Sequence, residues 1–180
     1  MGVSYSDSTP GVTYTFDRRG RQKTIVQNGI TTTFAYNDAN EVLTESYSGG
    51  TLDSLSVTNG YDQLMRRTNL ATLYSTTPLL TNSYAYDGAS RLLAVRDGGT
   101  NSATYVYLAN SPLVSQILFT NGSVQRIVTI KGYDLLNRLT NIVSATNGTA
   151  LASFAYQYNS ANQRTKRTDV DGSYWVCSRA

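Results

Sequence analysis

The sequence predicts an all-β protein built from repeated antiparallel hairpins, and three observations carry that reading. An aromatic residue followed by Asp, Asn or, once, Leu recurs at Phe16-Asp17, Tyr36-Asn37, Tyr61-Asp62, Tyr86-Asp87, Tyr107-Leu108, Tyr133-Asp134 and Tyr158-Asn159. Successive aromatic anchors lie 20, 25, 25, 21, 26 and 25 residues apart, a periodicity that marks one supersecondary unit used again and again. A second aromatic stands two residues before most anchors, and turn-forming dipeptides fall between the copies.

The aromatic spacing defines the first strand of each hairpin. Side chains alternate across a strand, so Tyr14/Phe16, Phe34/Tyr36, Tyr84/Tyr86, Tyr105/Tyr107 and Tyr156/Tyr158 each share a face. Val12, Ala103 and Phe154 extend three of those faces by one position. Burial as core packing is the simplest use of such a face, because aromatic residues fit a pleated, half-buried surface.

The residue after the anchor starts the turn. Asp and Asn side chains accept hydrogen bonds from backbone N–H groups two or more residues on. Gly20, Asn40, Asn137 and Asn162 stand four residues past their anchors and tolerate the left-handed backbone that a bulged three- to five-residue hairpin requires. Arg21, Arg66, Arg91 and Arg138 then open the return strand, with apolar neighbours such as Leu92-Leu93 and Leu139. These arginines are expected to pack over an aromatic ring or to pair with the motif Asp.

A second set of turns connects the hairpins: Asn28-Gly29, Gly49-Gly50, Asn59-Gly60, Gly98-Gly99, Asn121-Gly122, Asn147-Gly148 and Asp171-Gly172. Asn-Gly and Gly-Gly between alternating runs are strong hairpin cues. The chain therefore reads as an up-and-down meander of about fourteen strands, more than the roughly ten an open twisted sheet usually holds. A curved strip or spiral with the aromatics on its concave side is expected.

The clearest copies, Tyr14-Thr15-Phe16-Asp17 with Gly20-Arg21, Tyr84-Ala85-Tyr86-Asp87 with Arg91-Leu92, and Gly132-Tyr133-Asp134 with Asn137-Arg138-Leu139, resemble the YD repeat. That repeat occurs in bacterial Rhs proteins, in the shell component of Tc insecticidal toxins and in the teneurin ectodomain. The resemblance covers nearly the whole chain. It implies a non-enzymatic sheet that spirals into a hollow shell, enclosing a toxic segment in Rhs and Tc proteins and displaying an adhesive surface in teneurins. Residues 1–180 are then a single array of about seven hairpins, cut inside a repeat at both ends. The tail of a preceding hairpin is expected at Val3-Ser4-Tyr5-Ser6-Asp7, the strand of an eighth at Ser173-Tyr174-Trp175-Val176, and the next anchor near 178 to 184. Copies that depart from the pattern are expected to be irregular: Asn59 and Lys131 replace the first aromatic, and Leu108 with Ser111-Pro112 replaces Asp and Gly-Arg. The Asp-Pro pattern that closes an Rhs core has no counterpart here.

Composition narrows the function classes. Histidine is absent and Cys177 stands alone, which removes Ser-His-Asp and Cys-His catalysis and cysteine or histidine zinc clusters within one chain. Neither phosphate-cradling glycine loop occurs, so no cofactor is expected. The net charge of +3 is scattered apart from Arg164, Lys166 and Arg167. Alternation places Arg164 and Lys166 on one face as solvated strand residues, and no nucleic-acid partner is expected. No apolar run is long enough to span a bilayer, and the first ten residues lack a secretory pattern. Asp169-Val170-Asp171-Gly172 begins like a calcium loop without its closing Glu and reads as a turn.

The leading functional expectation is a structural segment of a shell. Its partners are the remainder of its own polypeptide, neighbouring repeat strands, and an encapsulated toxin or surface glycan. The alternative is a carbohydrate- or protein-binding module at a cell surface. An enzyme acting through paired carboxylates is the third reading, disfavoured because Asp17, Asp62, Asp87 and Asp134 occupy one repeated position. Unpaired sheet edges should leave the isolated chain marginal or self-associating.

Overall fold

The computed structural model describes residues 1–177. The expected next anchor near 178 to 184 lies outside the described residues. Sixteen strands make up the fold: β1 (Gly2–Val3), β2 (Val12–Phe16), β3 (Gln22–Gln27), β4 (Ile30–Tyr36), β5 (Val42–Ser48), β6 (Leu55–Tyr61), β7 (Arg67–Tyr74), β8 (Thr77–Tyr86), β9 (Leu92–Asp97), β10 (Asn101–Tyr107), β11 (Val114–Asn121), β12 (Val124–Tyr133), β13 (Leu139–Thr146), β14 (Thr149–Tyr158), β15 (Arg164–Asp169) and β16 (Tyr174–Val176). They follow one another in chain order through one open antiparallel sheet, the simplest outcome for a chain whose every connection is a hairpin turn. The only helical element described is a single 3-10 turn at Gly50–Leu52. Among the described residues no helix is long and apolar enough to cross a membrane.

The chain divides into two compact units, Met1–Tyr84 and Ala85–Ala180, with β8 running from the first into the second. In the first unit Val12, Tyr14 and Phe34 share a face with Ile25, Val57 and Leu55 through directly opposed positions or i, i+2 alternation. The other face of that unit carries hydroxyls in register, Thr15 opposite Thr24, Thr24 opposite Thr33, Thr33 opposite Ser46 and Ser46 opposite Ser56. Thr15 and Thr24 share a hydrogen bond between their Oγ1 atoms at 2.6 Å. In the second unit Ala103, Tyr105, Ile117, Phe119 and Ile127 line the aromatic face.

Burial is shallower than a core-packing reading implies. With the strands in a single sheet, side chains are shielded by neighbours in its plane, and Val12, Ala71 and Ala94 are the buried hydrophobics among the described residues. The paired aromatics Tyr14, Phe34, Tyr84, Tyr105 and Tyr156 are half-buried, and Phe16 is 49% exposed.

One predicted connection is not a turn. Asn59-Gly60 lies inside β6, where Asn59 Nδ2 donates to the Val42 carbonyl at 3.1 Å and Gly60 stands opposite Asn69. A Cβ on Gly60 would sit 3.3 Å from the Asn69 Cβ, so this glycine is used for close packing rather than for reversal. The reversal between β7 and β8 falls instead at Ser75-Thr76, with Ser75 at φ 54°, a residue pair that no glycine or asparagine announces.

Candidate functional site

The recurring feature of the molecule's chemistry is its set of motif turns, and the first shows how one is built. The Asp17 N–H donates to the Arg21 carbonyl at 2.8 Å and the Gly20 N–H donates back to the Asp17 carbonyl at 3.0 Å. Gly20, at φ 78°, supplies the left-handed step that closes the loop. Asp17 Oδ1 accepts the N–H groups of Arg19 and Arg21 at 2.8 and 2.9 Å, while Oδ2 takes the Arg21 Nε at 2.7 Å. One carboxylate thus satisfies two backbone donors and one guanidinium. Asp62 with Arg66, Asp87 with Arg91 and Asp134 with Arg138 repeat the arrangement, each ion pair at 2.7 Å. Asn40, Asn137 and Asn162 take the left-handed position at φ 68°, 61° and 61°, and so do Met65 and Ser90, at φ 59° and 62°.

Where the motif changes, both ends of the pair change together. Asn37 Oδ1 accepts the Glu41 N–H at 2.9 Å, and its Nδ2 donates to Glu41 Oε2 at 2.6 Å. Asn159 does the same with Gln163, at 2.9 Å from the backbone and 3.0 Å between side chains. An amide donor at the first position requires an acceptor four residues later, as a carboxylate requires a cation. Glu41 and Gln163 are partners the sequence reading missed; the donor and acceptor inventory at positions i and i+4 is the signal that finds them. The fifth turn has neither group and is longer, closing from the Leu108 N–H to the Leu113 carbonyl at 2.9 Å, with Ser111 Oγ accepting the Leu113 N–H at 3.1 Å.

Within each unit the anchors link a hairpin to the one before. Ladder register shifts beside the anchor, between Thr15/Phe16, Ala35/Tyr36, Gly60/Tyr61, Val106/Tyr107, Gly132/Tyr133 and Gln157/Tyr158. Such bulges interrupt pairing and free a backbone group. The next anchor's hydroxyl donates to a carbonyl there: Tyr36 to Gln22 at 2.8 Å, Tyr61 to Val42 at 3.2 Å, Tyr107 to Leu92 at 2.8 Å, Tyr133 to Val114 at 2.9 Å and Tyr158 to Leu139 at 2.7 Å. The motif arginine completes the link. Arg21, Arg91 and Arg138 lie over the rings of Tyr36, Tyr107 and Tyr158 at 4.6, 4.3 and 4.8 Å. Each also donates into the following turn: Arg21 to Asn37 O at 2.9 Å and Asn40 Oδ1 at 3.0 Å, Arg91 to Ser111 O, and Arg138 to Asn162 Oδ1 at 2.8 Å.

These contacts set the ionisation of the motif. In Asp62 the Arg66 side chain is the largest influence and holds the carboxyl below its ordinary value of 3.8. In Asp87 the largest is the Arg91 N–H, acting the same way. For Asp17 and Asp134 desolvation is the largest single effect and pushes upward, but the combined arginine and backbone hydrogen bonds outweigh it and both fall below the usual value. Burial raises the hydroxyls of Tyr107 and Tyr133. A depressed folded-state carboxyl contributes stability above its unfolded value and loses it as pH falls toward the folded value. The urea midpoint is therefore expected to hold steady from neutrality to about pH 5 and then to decline steadily on acidification. A flat profile down to about pH 3 would mean that the carboxylate pairs contribute nothing.

The basic residues near the end do not form the expected shared face. The register shift at Gln157/Tyr158 breaks the alternation of β15. Arg164 lies over Tyr156 at 3.9 Å, on the same face as Arg167, which reaches Phe154 and Trp175 at 5.4 and 5.9 Å and pairs with Asp169 at 2.8 Å. Lys166 stands opposite Gln157 and lies 4.2 Å over Tyr174, on the other face. In the first unit an open depression of about 390 Å³ is lined by Phe16, Arg18, Arg21, Lys23, Phe34 and Tyr36, among others.

Comparison with known proteins agrees with this geometry. Residues 132–174, which contain the sixth and seventh motif turns, match the RHS Repeat family. Residues 132–174 thus carry the RHS repeat. No curated protein matches it at a significant level. Among solved structures, the chain is similar to a chain of the Tc holotoxin pore of Photorhabdus luminescens, with a TM-score of 0.69 and 14% identity over 89% of this chain and 9% of that one. It is also similar to TcdB2-TccC3 solved without its hypervariable C-terminal region, with a TM-score of 0.54 and 14% identity over 87% of this chain and 10% of that one. At these identities the likeness is one of fold, and the chain spans about a tenth of the length of either structure.

Proposed function

We propose that the chain is a non-catalytic wall segment of a YD-repeat shell that encloses a toxin or displays a surface. The observation that supports this most is the consumption of the motif's polar groups by the fold itself. Each motif carboxylate holds its own turn, and three motif arginines also reach the next turn, which leaves these groups committed to structure. The partners are then the remainder of the parent polypeptide and adjoining repeat strands, with secretion or the cell envelope as the setting and no cofactor. Replacing Asp17, Asp62, Asp87 and Asp134 together by alanine tests the reading. Loss of the cooperative unfolding transition and of the β-type circular dichroism is expected; a variant that keeps its fold at neutral pH overturns it.

A second reading, a carbohydrate- or protein-binding module, is favoured by one feature: the depression in the first unit, where Phe16 is half exposed and Arg18 and Lys23 stand at the surface. A glycan array separates the two. Binding lost on Phe16→Ala with folding intact supports the module, and absence of signal at high protein concentration removes the glycan form of it.

A further inference from the structure

We infer that the repeating unit of this chain is three hairpins rather than one, and that the joint between the second and third hairpin of each unit is an unclasped point of opening. The anchor spacings fall into two matching triplets, 20, 25, 25 and 21, 26, 25. Phe16, Tyr86 and Tyr158 are thus separated by 70 and 72 residues, Tyr36 and Tyr107 by 71, and Tyr61 and Tyr133 by 72. A single-hairpin repeat gives no reason for the short interval to return at every third step.

The chemistry returns in the same phase. The first and fourth hairpins end in Arg21 and Arg91, which cover the rings of Tyr36 and Tyr107. The second and fifth offer no cation at that position, where Glu41 and Leu113 precede the carbonyls that the next anchors reach. The third and sixth alone place glycine before the anchor, Gly60 and Gly132, each opposite an asparagine, Asn69 and Asn141. A Cβ would meet the Asn69 Cβ at 3.3 Å in one and the Asn141 side chain directly in the other, so glycine and asparagine form a matched pair in both. Those same two hairpins carry the apolar tips Leu64-Met65 and Leu135-Leu136, all exposed. Spacing, glycine pair and tip are separate features that agree on one period, and the cation agrees with them through the first six hairpins, the seventh ending in Gln163 instead.

The consequence lies at the joints. At the joints of Arg21, Arg91 and Arg138 there is a hydroxyl strut, a cation over a ring and a donor into the next turn. At the second joint of each triplet the motif edge keeps the strut, Tyr61 to Val42 or Tyr133 to Val114, the former joined by Asn59. The motif edge can part there without breaking an ion pair or uncovering a cation.

Hydrogen exchange read by mass spectrometry on the full chain tests this. Amides of 58–61 and 130–133, at the unclasped joints, are expected to exchange about two- to five-fold faster than those of 33–36, 104–107 and 155–158. Equal or slower exchange overturns the inference. The double variant Asn37→Asp with Glu41→Arg builds the missing pair and cation, and is expected to slow 58–61 by a similar factor while leaving 130–133 unchanged. Should that variant misfold, Arg138→Gln supplies the converse: exchange at 155–158 must rise to the rate of 130–133, and an unchanged rate there rejects the clasp as the cause.

Discussion

Replacing Tyr158 by alanine is expected to lower the stability of the chain by about 2–3 kcal/mol. Full truncation of a buried aromatic costs about 3–5 kcal/mol, and this ring is only half-buried, so the lower part of that range or just under it applies. Three separable contributions are lost. The hydroxyl bond to the Leu139 carbonyl at 2.7 Å is worth about 1 kcal/mol. The Arg138 guanidinium 4.8 Å from the ring centroid adds about 0.5–1 kcal/mol. The remainder is apolar area shared with neighbours in the sheet. Urea denaturation of Tyr158→Phe should accordingly recover all but about 1 kcal/mol of the alanine loss, because the ring and its cation survive. A double-mutant cycle with Arg138→Gln should show a coupling of about 0.5–1 kcal/mol. If Tyr158→Phe costs as much as Tyr158→Ala, the hydroxyl strut and not the ring holds the hairpins together.

The hairpin pattern was legible because it depends on local rules. Aromatic alternation and the Asp or Asn after the anchor act within a few residues, and they place the strands from β2 onward in order. What the sequence hid depends on pairing between strands. Asn59-Gly60 carries the strongest local turn signal, yet the Asn69 side chain opposite and the Val42 carbonyl on the previous hairpin determine its use. The bulge at Gln157/Tyr158 inverts the face that simple alternation assigns to Arg164, although the anchor Tyr158 and the left-handed Asn162 mark the bulged turn beside it. Glu41 and Gln163 were not read as part of the motif, although they preserve its donor-to-acceptor logic. Depth of burial was misread for a related reason: alternation says which side chains share a face, but not whether anything covers that face.

Gly49→Ala is expected to be the most damaging single-methyl change in the first unit, costing about 3 kcal/mol or more. Two independent obstacles combine. Gly49 has φ 82° and ψ 159°, a region that residues with a Cβ essentially do not enter. The added carbon would also lie well within contact distance of the Gly29 carbonyl oxygen, a backbone atom held by the β3–β4 turn that cannot swing aside like a flexible side chain. Relief would have to come from moving the 49–53 loop, which is fixed by the Gly49 N–H bond to Asp53 Oδ1 at 2.8 Å and by the Ser54 N–H bond to the Tyr47 carbonyl at 3.2 Å. Gly29→Ala provides the comparison, since it has a positive φ of 74° but open space around its Cβ, and it should lose only about 1 kcal/mol. Gly20→Asn should be close to neutral, because Asn40, Asn137 and Asn162 already hold the equivalent position at similar φ. Urea midpoints for the three variants are expected in the order Gly20→Asn, Gly29→Ala, Gly49→Ala from highest to lowest. A Gly49→Ala midpoint equal to that of Gly29→Ala would show that the carbonyl approach is relieved at no cost, leaving only the dihedral penalty.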